Sequence, residues 1–169
     1  MDEFDAFVRA RTPALLRSAF LLTGDQQLAE DLVQSALTRT HLSWKRLQDV
    51  ANAESYARRT MYHLQVSWWR RRKVAEVLPG DLPDRADVAD HAGAVSLRLV
   101  LQAAMLRLSA RQRAVLVLRF FEDRTEVEAA DLLGISVGTV KSQTARALTR
   151  LRAVAPELAD IDSRTGVLS

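Results

Sequence analysis

Three histidines, His41, His63 and His91, stand far apart in the 169-residue chain, in no spacing that would bring imidazoles to one metal ion, and cysteine is absent. Thiolate zinc sites, disulfides and thiol nucleophiles are therefore excluded. Serine, histidine and aspartate occur without a catalytic arrangement, and there is no glycine-rich phosphate loop or nucleophile elbow. No metal, cofactor or enzymatic activity is expected. The chemistry that remains is recognition of a polyanion. Between residues 137 and 152, Val137, Val140, Ala147, Leu148 and Leu151 fall on one narrow arc of a helix. Gly138, Thr139, Ser142, Arg146 and Thr149 fall on the opposite arc, flanked by Lys141 and Gln143, with Ser136 placed to cap the helix. Hydroxyls and amides at a helix N-terminus hold phosphates, Lys and Arg neutralise them, and Gln can read a base edge. An ordinary helical hairpin with a solvated face fits the same pattern.

The elements that must hold this face are helical. Thr125-Glu126-Val127-Glu128 is a capping box opening a short helix that ends at Leu133-Gly134, so two helices are joined by Leu133-Gly134-Ile135-Ser136 in a helix-turn-helix layout. Ser109-Ala110-Arg111-Gln112 is a second capping box, for a helix reaching about Phe121. Leu97, Val100, Leu101, Ala104, Met105 and Leu108 repeat at helical period before it, and Pro156 stops the last helix near Val154. Upstream, a helix is predicted over about Asp5–Leu22, blemished by Pro13, which would kink it or mark a second start. Another carries Leu28, Leu32, Val33, Ala36 and Leu37, with Asp25 as its cap. Residues 46–53 lose periodicity and are expected to form a loop, followed by a helix from about Glu54 to Lys73.

Charge divides the chain the same way. Residues 1–73 hold 12 Lys/Arg against 8 Asp/Glu, residues 74–94 hold 1 against 5, and residues 95–155 hold 10 against 5. Two basic blocks flank an acidic stretch containing Leu78-Pro79-Gly80-Asp81-Leu82-Pro83-Asp84, composed of turn-formers. Basic blocks point to polyanions, although solvated faces fit a modest excess too. No apolar run is long enough to span a bilayer, and the acidic start Met1-Asp2-Glu3 is unlike a signal peptide, so no membrane insertion and a cytoplasmic location are expected. The fold class expected is all-α. Two small helical domains, 1–74 and 95–155, are joined by a flexible acidic linker, 75–94. The second is a four-helix domain with the helix-turn-helix, and 156–169 is a tail.

The segment Thr125–Arg152, with Ala129-Ala130-Asp131-Leu132-Leu133-Gly134-Ile135-Ser136, then Val137-Gly138-Thr139-Val140-Lys141-Ser142 and Arg146-Ala147-Leu148, resembles the fourth conserved region of extracytoplasmic-function, or group-four, sigma factors. Ser109 stands where the family's entry motif usually has proline, and Gln143 where many members have arginine. The resemblance implies that Ser136, Gly138, Thr139, Lys141, Ser142, Gln143 and Arg146 bind the −35-type promoter element and that this region contacts the polymerase β flap. Ala29-Glu30-Asp31-Leu32-Val33-Gln34 resembles the second region, which implies docking of Asp31, Leu32 and Gln34 onto the β′ clamp helices of core RNA polymerase. Asp31 and Gln34, three apart, share one helix face.

Residues 54–73 resemble the helix that recognises the −10-type element. The resemblance implies DNA-binding roles for Arg58, Arg59, His63, Trp68, Trp69, Arg70, Arg71 and Arg72, cations holding the strand and aromatic faces meeting unpaired bases. At least one tryptophan of the pair is assigned to packing. His63 and Ser67 depart from the usual asparagine and aspartate. The Trp-Trp-Arg run resembles most the actinobacterial sigma-E type, the loop Leu47–Ala53 lies where the family captures a flipped −10 base, and an anti-sigma partner is common in the family. A conventional helix-turn-helix regulator is the rival reading; it predicts tight duplex binding by the protein alone.

Overall fold

The computed structural model describes residues 2–76 and 93–158, and every regular element among them is helical. Helix α1, Glu3–Thr23, runs unbroken through Pro13. The missing amide there is tolerated because Pro13 is exposed, and the neighbouring Thr12 hydroxyl donates to the Val8 carbonyl at 2.6 Å. Gly24, left-handed at φ 69°, ends the helix, its amide donating to Phe20 O at 2.7 Å. Helix α2, Gln26–Leu42, starts on Asp25, whose carboxylate accepts from the Leu28 amide at 2.9 Å. It buries Ala29, Leu32, Val33 and Ala36.

The expected loop at 46–53 is mostly helix. Trp44–Leu47 form a single turn, α3, and α4 spans Val50–Glu76, leaving Gln48 and Asp49 between them. Asp49 caps α4, accepting from the Asn52 amide at 2.8 Å. One turn is too short to display a helical period, which is why Arg46 and Leu47 read as irregular. Trp44 fixes this turn against α1, its ring centroid 5.2 Å from Phe4 and 5.3 Å from Phe7.

Helix α5, Gly93–Leu106, leads to α6, Ala110–Leu116, through the capping box: Ser109 Oγ accepts from the Gln112 amide and Gln112 Oε1 from the Ser109 amide, both at 3.1 Å. The α6 helix then widens into a π turn over Val117–Phe121. The extra residue shifts the register, so Val117 and Leu118 are buried, Phe120 and Phe121 exposed, and Glu122 turned inward. Helices α7, Glu126–Leu133, and α8, Val137–Val154, complete the chain before Pro156. The ends of the predicted linker, 75–76 and 93–94, are helical; residues 77–92 lie outside the described residues, as does the tail from 159 onward.

The two blocks pack directly on each other, and one cluster of buried side chains runs from Leu15, Leu22, Leu32 and Met61 to Leu116, Leu118, Leu132 and Val140. At the seam lies Arg113, 0% exposed, whose guanidinium donates to the carbonyl of Leu22 at the end of α1, to Met105 at 2.8 Å and to Leu108 at 3.1 Å. Burial lowers its pKa to about 10, which still leaves it charged at neutral pH. A side chain on Gly24 would start 2.8 Å from Leu106 Cδ1, so the end of α1 sits against the end of α5.

Replacing Arg113 by alanine removes the side-chain donor to Leu108 O and leaves Leu22 O to Gln65 Nε2 and Met105 O to the Leu108 amide, with a cavity where a buried guanidinium stood. Arg113→Ala is expected to cost about 3 kcal/mol or more, measured by urea unfolding. Arg113→Lys should recover only part, since an ammonium has no planar fork to span divergent carbonyls. A loss below about 1 kcal/mol for the alanine variant would mean that Leu108 O finds another donor.

Candidate nucleic-acid interface

The helix-turn-helix is built by two caps and one glycine. Thr125 Oγ1 accepts from the Glu128 amide at 3.1 Å, and the Glu128 carboxylate accepts from the Thr125 amide at 2.9 Å, fixing the start of α7. Gly134, φ 66°, ψ 35°, turns the chain out of α7, a conformation that costs other residues about 1 kcal/mol or more. Ile135 N donates back to Ala130 O at 3.1 Å. Ser136 then caps α8, its hydroxyl accepting from the Thr139 amide at 3.1 Å and lying 2.8 Å from Thr139 Oγ1. Ala129, fully buried, and Ala130, nearly so, let the helices approach. Val140 and Ala147 are fully buried, and Val137, Leu148 and Leu151 pack against the core, as their spacing predicts.

With that side of α8 anchored, the other is free. Ser136, Gly138, Lys141, Ser142 and Arg146 are exposed, and Thr139 and Gln143 half-buried, forming one polar, cationic strip at the start of the helix. The amides of the first turn and the macrodipole favour an anion there. Lys141 Nζ lies 3.7 Å from Glu126 on α7 and is 64% exposed, a weak surface pair that leaves the ammonium available to a phosphate.

On α2, Asp31 is half-buried and accepts from Gln27 Nε2 at 3.0 Å, and Gln34 is exposed beside a groove lined by Phe4, Val8, Leu37 and His41. Leu32 is 0% exposed, so it cannot offer a side chain to a partner; it holds α2 in the core behind Asp31 and Gln34. On α4 the expected residues split. His63 and Arg71 are exposed, and Trp68 packs on the core. The side chains of Trp69, Arg70 and Arg72 lie outside the described residues, though their backbone is helical. Arg58 is buried between Glu54 on its own helix and Glu122 of the other block, and Arg59 donates to Asp131 of α7 at 2.9 Å. A cleft of about 800 Å³ beside Gln48 and Asp49 is lined by Phe7, Arg11, Trp44 and Val50. Gln48 itself holds a strained φ of 65°, ψ −34°.

Tyr62, Glu54 and Glu122 were not singled out from the sequence. The Tyr62 hydroxyl, fully buried, donates to the Glu122 carboxylate. Burial, then the Glu122 charge and the hydrogen bond to it, hold the phenol well above its ordinary pKa, so it stays a donor. Tyr62 stands four residues after Arg58 on one face of α4, which is visible in the sequence; its partner sixty residues away is not.

Helices, caps and recognition strip define a helix-turn-helix DNA-binding protein. Residues 7–74 match the family model described as Sigma-70 region 2, and residues 104–153 the one described as Sigma-70, region 4. The chain is 44% identical over 162 residues to the RNA polymerase sigma-E factor of Streptomyces avermitilis, covering 96% of this chain and 89% of that protein. It is 31% identical over 148 residues to the ECF RNA polymerase sigma factor SigM of Mycobacterium tuberculosis, covering 88% and 74%. The sigma factor RpoE of Bartonella quintana, solved in complex with the anti-sigma factor NepR, shares the fold with a TM-score of 0.70 and 25% identity over 91% of this chain and 97% of that one. The chain belongs to the extracytoplasmic-function group of the sigma-70 family and is an RNA polymerase sigma factor. No helix among the described residues is long and apolar enough to cross a membrane.

The Ser136 cap gives a direct test of how the strip is held. Ser136→Ala should cost about 1 kcal/mol, seen as a lower urea midpoint at unchanged slope. An unchanged midpoint would mean the first turn of α8 is held without the cap.

Proposed function

We propose that residues 1–74 form the unit that docks on core polymerase and the −10 element, and residues 95–155 the unit that reads the −35 element. The observation that carries this is the exposed strip from Ser136 to Arg146 on a capped helix-turn-helix, lying downstream of the Asp31–Gln34 face in the family's order. Asp31 and Gln34 make the polar contact with the β′ clamp helices, with Leu32 behind them. Lys141 and Arg146 neutralise phosphates, Thr139, Ser142 and the first-turn amides hold them, and Gln143 meets a base edge.

On α4, Arg58, Arg59 and His63 with Trp68, Trp69, Arg70, Arg71 and Arg72 take the melting strand, and the cleft beside Gln48 receives a flipped base. Trp68 contributes by packing, as its contact with the core supports. The protein performs no chemistry; the polymerase does, in the cytoplasm. Neither reader is extensive, so the enzyme that carries both raises the effective concentration of each at its site. The Bartonella relative is held by an anti-sigma factor, and a protein of that kind is proposed to regulate this chain as well.

Reconstitution with purified bacterial core polymerase, followed by transcription on a genomic library, should give a stoichiometric complex and new, discrete start sites. Asp31→Ala with Gln34→Ala should weaken the complex by roughly tenfold, the scale of 1.4 kcal/mol. No complex, together with tight duplex binding by the free protein, would make this a conventional regulator instead. Replacing 47–53 by a glycine-serine stretch should abolish promoter opening, scored by permanganate reactivity of unpaired thymines; undiminished opening would remove base capture from the proposal.

A further inference from the structure

A cleft of about 850 Å³ at the seam is lined by α1, α4, α5 and the chain around the end of the π turn. Arg17, Arg58, Arg98 and Arg124 each contribute a guanidinium to it, and Glu122 the one carboxylate. That balance places in a single concavity as much net charge as the formal +3 of the whole chain. Glu122 is already engaged: it retains 8% side-chain exposure and accepts from Arg58 and Tyr62. Three cations are left over.

The fold does little with those three. Arg17 and Arg98 are exposed, and among the described residues neither has a carboxylate within ion-pair distance. Arg124 retains 32% side-chain exposure and reaches Glu122 only at 3.8 Å, and its buried Nε finds no acceptor among the described residues. An enclosed guanidinium normally has its donors matched. Like charges gathered in one concavity repel unless an anion offsets them, and they attract one from solution.

The rest of the wall says what kind of anion. Leu16, Phe20 and Leu101 line the cleft, half-buried against the core, and Phe121, at the end of the π turn, is 49% exposed. Cations beside an aromatic face fit a ligand that joins charged groups to a flat ring. Guanidinium groups take phosphates in a forked geometry, and aromatic side chains stack on bases. Size agrees, since clefts of roughly 300–1,000 Å³ hold ligands of small-molecule dimensions. We propose that this cleft binds a nucleoside polyphosphate, Arg17, Arg98 and Arg124 taking the phosphates and Phe121 the base. None of the residues from Ser136 to Arg146 lines it, so the site is separate from the recognition strip of α8. Because its walls come from both blocks, the ligand binds the packed chain and stabilises it in proportion to occupancy.

The test uses the full chain at about 0.15 M salt, where attraction to scattered surface charges is screened. Isothermal titration calorimetry with ATP, GTP, inorganic tripolyphosphate and adenosine separates the two parts of the ligand. ATP or GTP should bind once per chain with a Kd on the order of 100 µM, tripolyphosphate about tenfold more weakly, and adenosine more weakly still. Nucleotide at about ten times its Kd should raise the thermal midpoint by about 3 °C. Arg17→Ala/Arg98→Ala removes two exposed cations that no described carboxylate holds and should weaken nucleotide binding roughly tenfold. Arg9→Ala/Arg39→Ala removes the same charge from exposed positions outside the cleft and should stay within about twofold of the parent. Phe121→Ala should weaken ATP about fivefold and leave tripolyphosphate within about twofold. The ligand-free thermal midpoint of each variant, compared with the parent's, shows that it folds. No nucleotide binding at about 1 mM ligand overturns the proposal. Equal losses from the two arginine pairs, or tripolyphosphate binding as tightly as ATP, overturn it too, leaving only a general attraction for anions. A glutamate peptide that binds more tightly than ATP, with the same dependence on Arg17 and Arg98, would give the cleft to an acidic protein segment and overturn it as well.

Discussion

Arg113 is where the halves of the molecule are tied, and much else follows from what a buried guanidinium demands. Removing such a cation from water costs several kcal/mol, so its donors must all find acceptors. The acceptors are main-chain carbonyls at the ends of α1 and α5; Leu22 O also accepts from Gln65, and Met105 O from the Leu108 amide. One side chain thus joins the ending carbonyls of two helices from opposite blocks. The geometry obliges those helices to end together, and the contact between Gly24 and Leu106 is the consequence: only a residue without a side chain lets α5 finish that close to the turn after α1. With the two ends pinned, α6 must pass behind α4, and its π turn delivers Glu122 to Arg58 and Tyr62.

Local structure was legible in the sequence because its signals are local. Both capping boxes, the Asp25 and Ser136 caps, the left-handed Gly134 and the apolar arc of α8 are each set by residues within a turn or two of one another. The family assignment rests on the same stretches and on their order. The misreadings have a common cause. Trp44–Leu47 is one turn, too short for a period, and its helix depends on Trp44 packing against Phe4 and Phe7, forty residues earlier. Leu32 belongs to a six-residue docking pattern, yet the 3.6-residue repeat that makes α2 amphipathic is what buries it between two surface positions.

What could not be read is the meeting of the blocks. A chain divided into two basic halves by an acidic, proline-containing stretch looks like two domains on a tether, since like charges argue for separation. Net charge, however, averages over faces. The seam pairs Arg58 with Glu122 and Arg59 with Asp131, so the local fields at the contact are complementary although the blocks as wholes repel. Arg113 misleads in the same way: an arginine in a helix that also carries Arg111 and Gln112 suggests a surface position, and the carbonyl of Leu22, ninety-one residues away, helps make an interior one possible.

The contrast between α4 and α8 follows from how each is anchored. Helix α8 buries a continuous apolar arc against its own block, so its polar strip is surplus to packing and remains exposed whatever the other block does. Helix α4 has no such division. Ala53, Ala57, Met61 and Leu64 bury one side, but Arg58, Tyr62 and Gln65 are buried too, and the Gln65 amide is spent on Leu22 O at 2.9 Å. A helix buried over so wide an arc has little surface to spare, and the polar groups it buries must be matched by someone. The C-terminal block supplies the matching carboxylate. Glu122 accepts from both Arg58 and Tyr62, so one carboxylate answers two of the polar groups that α4 buries, and the pairing of the blocks is specified by that match.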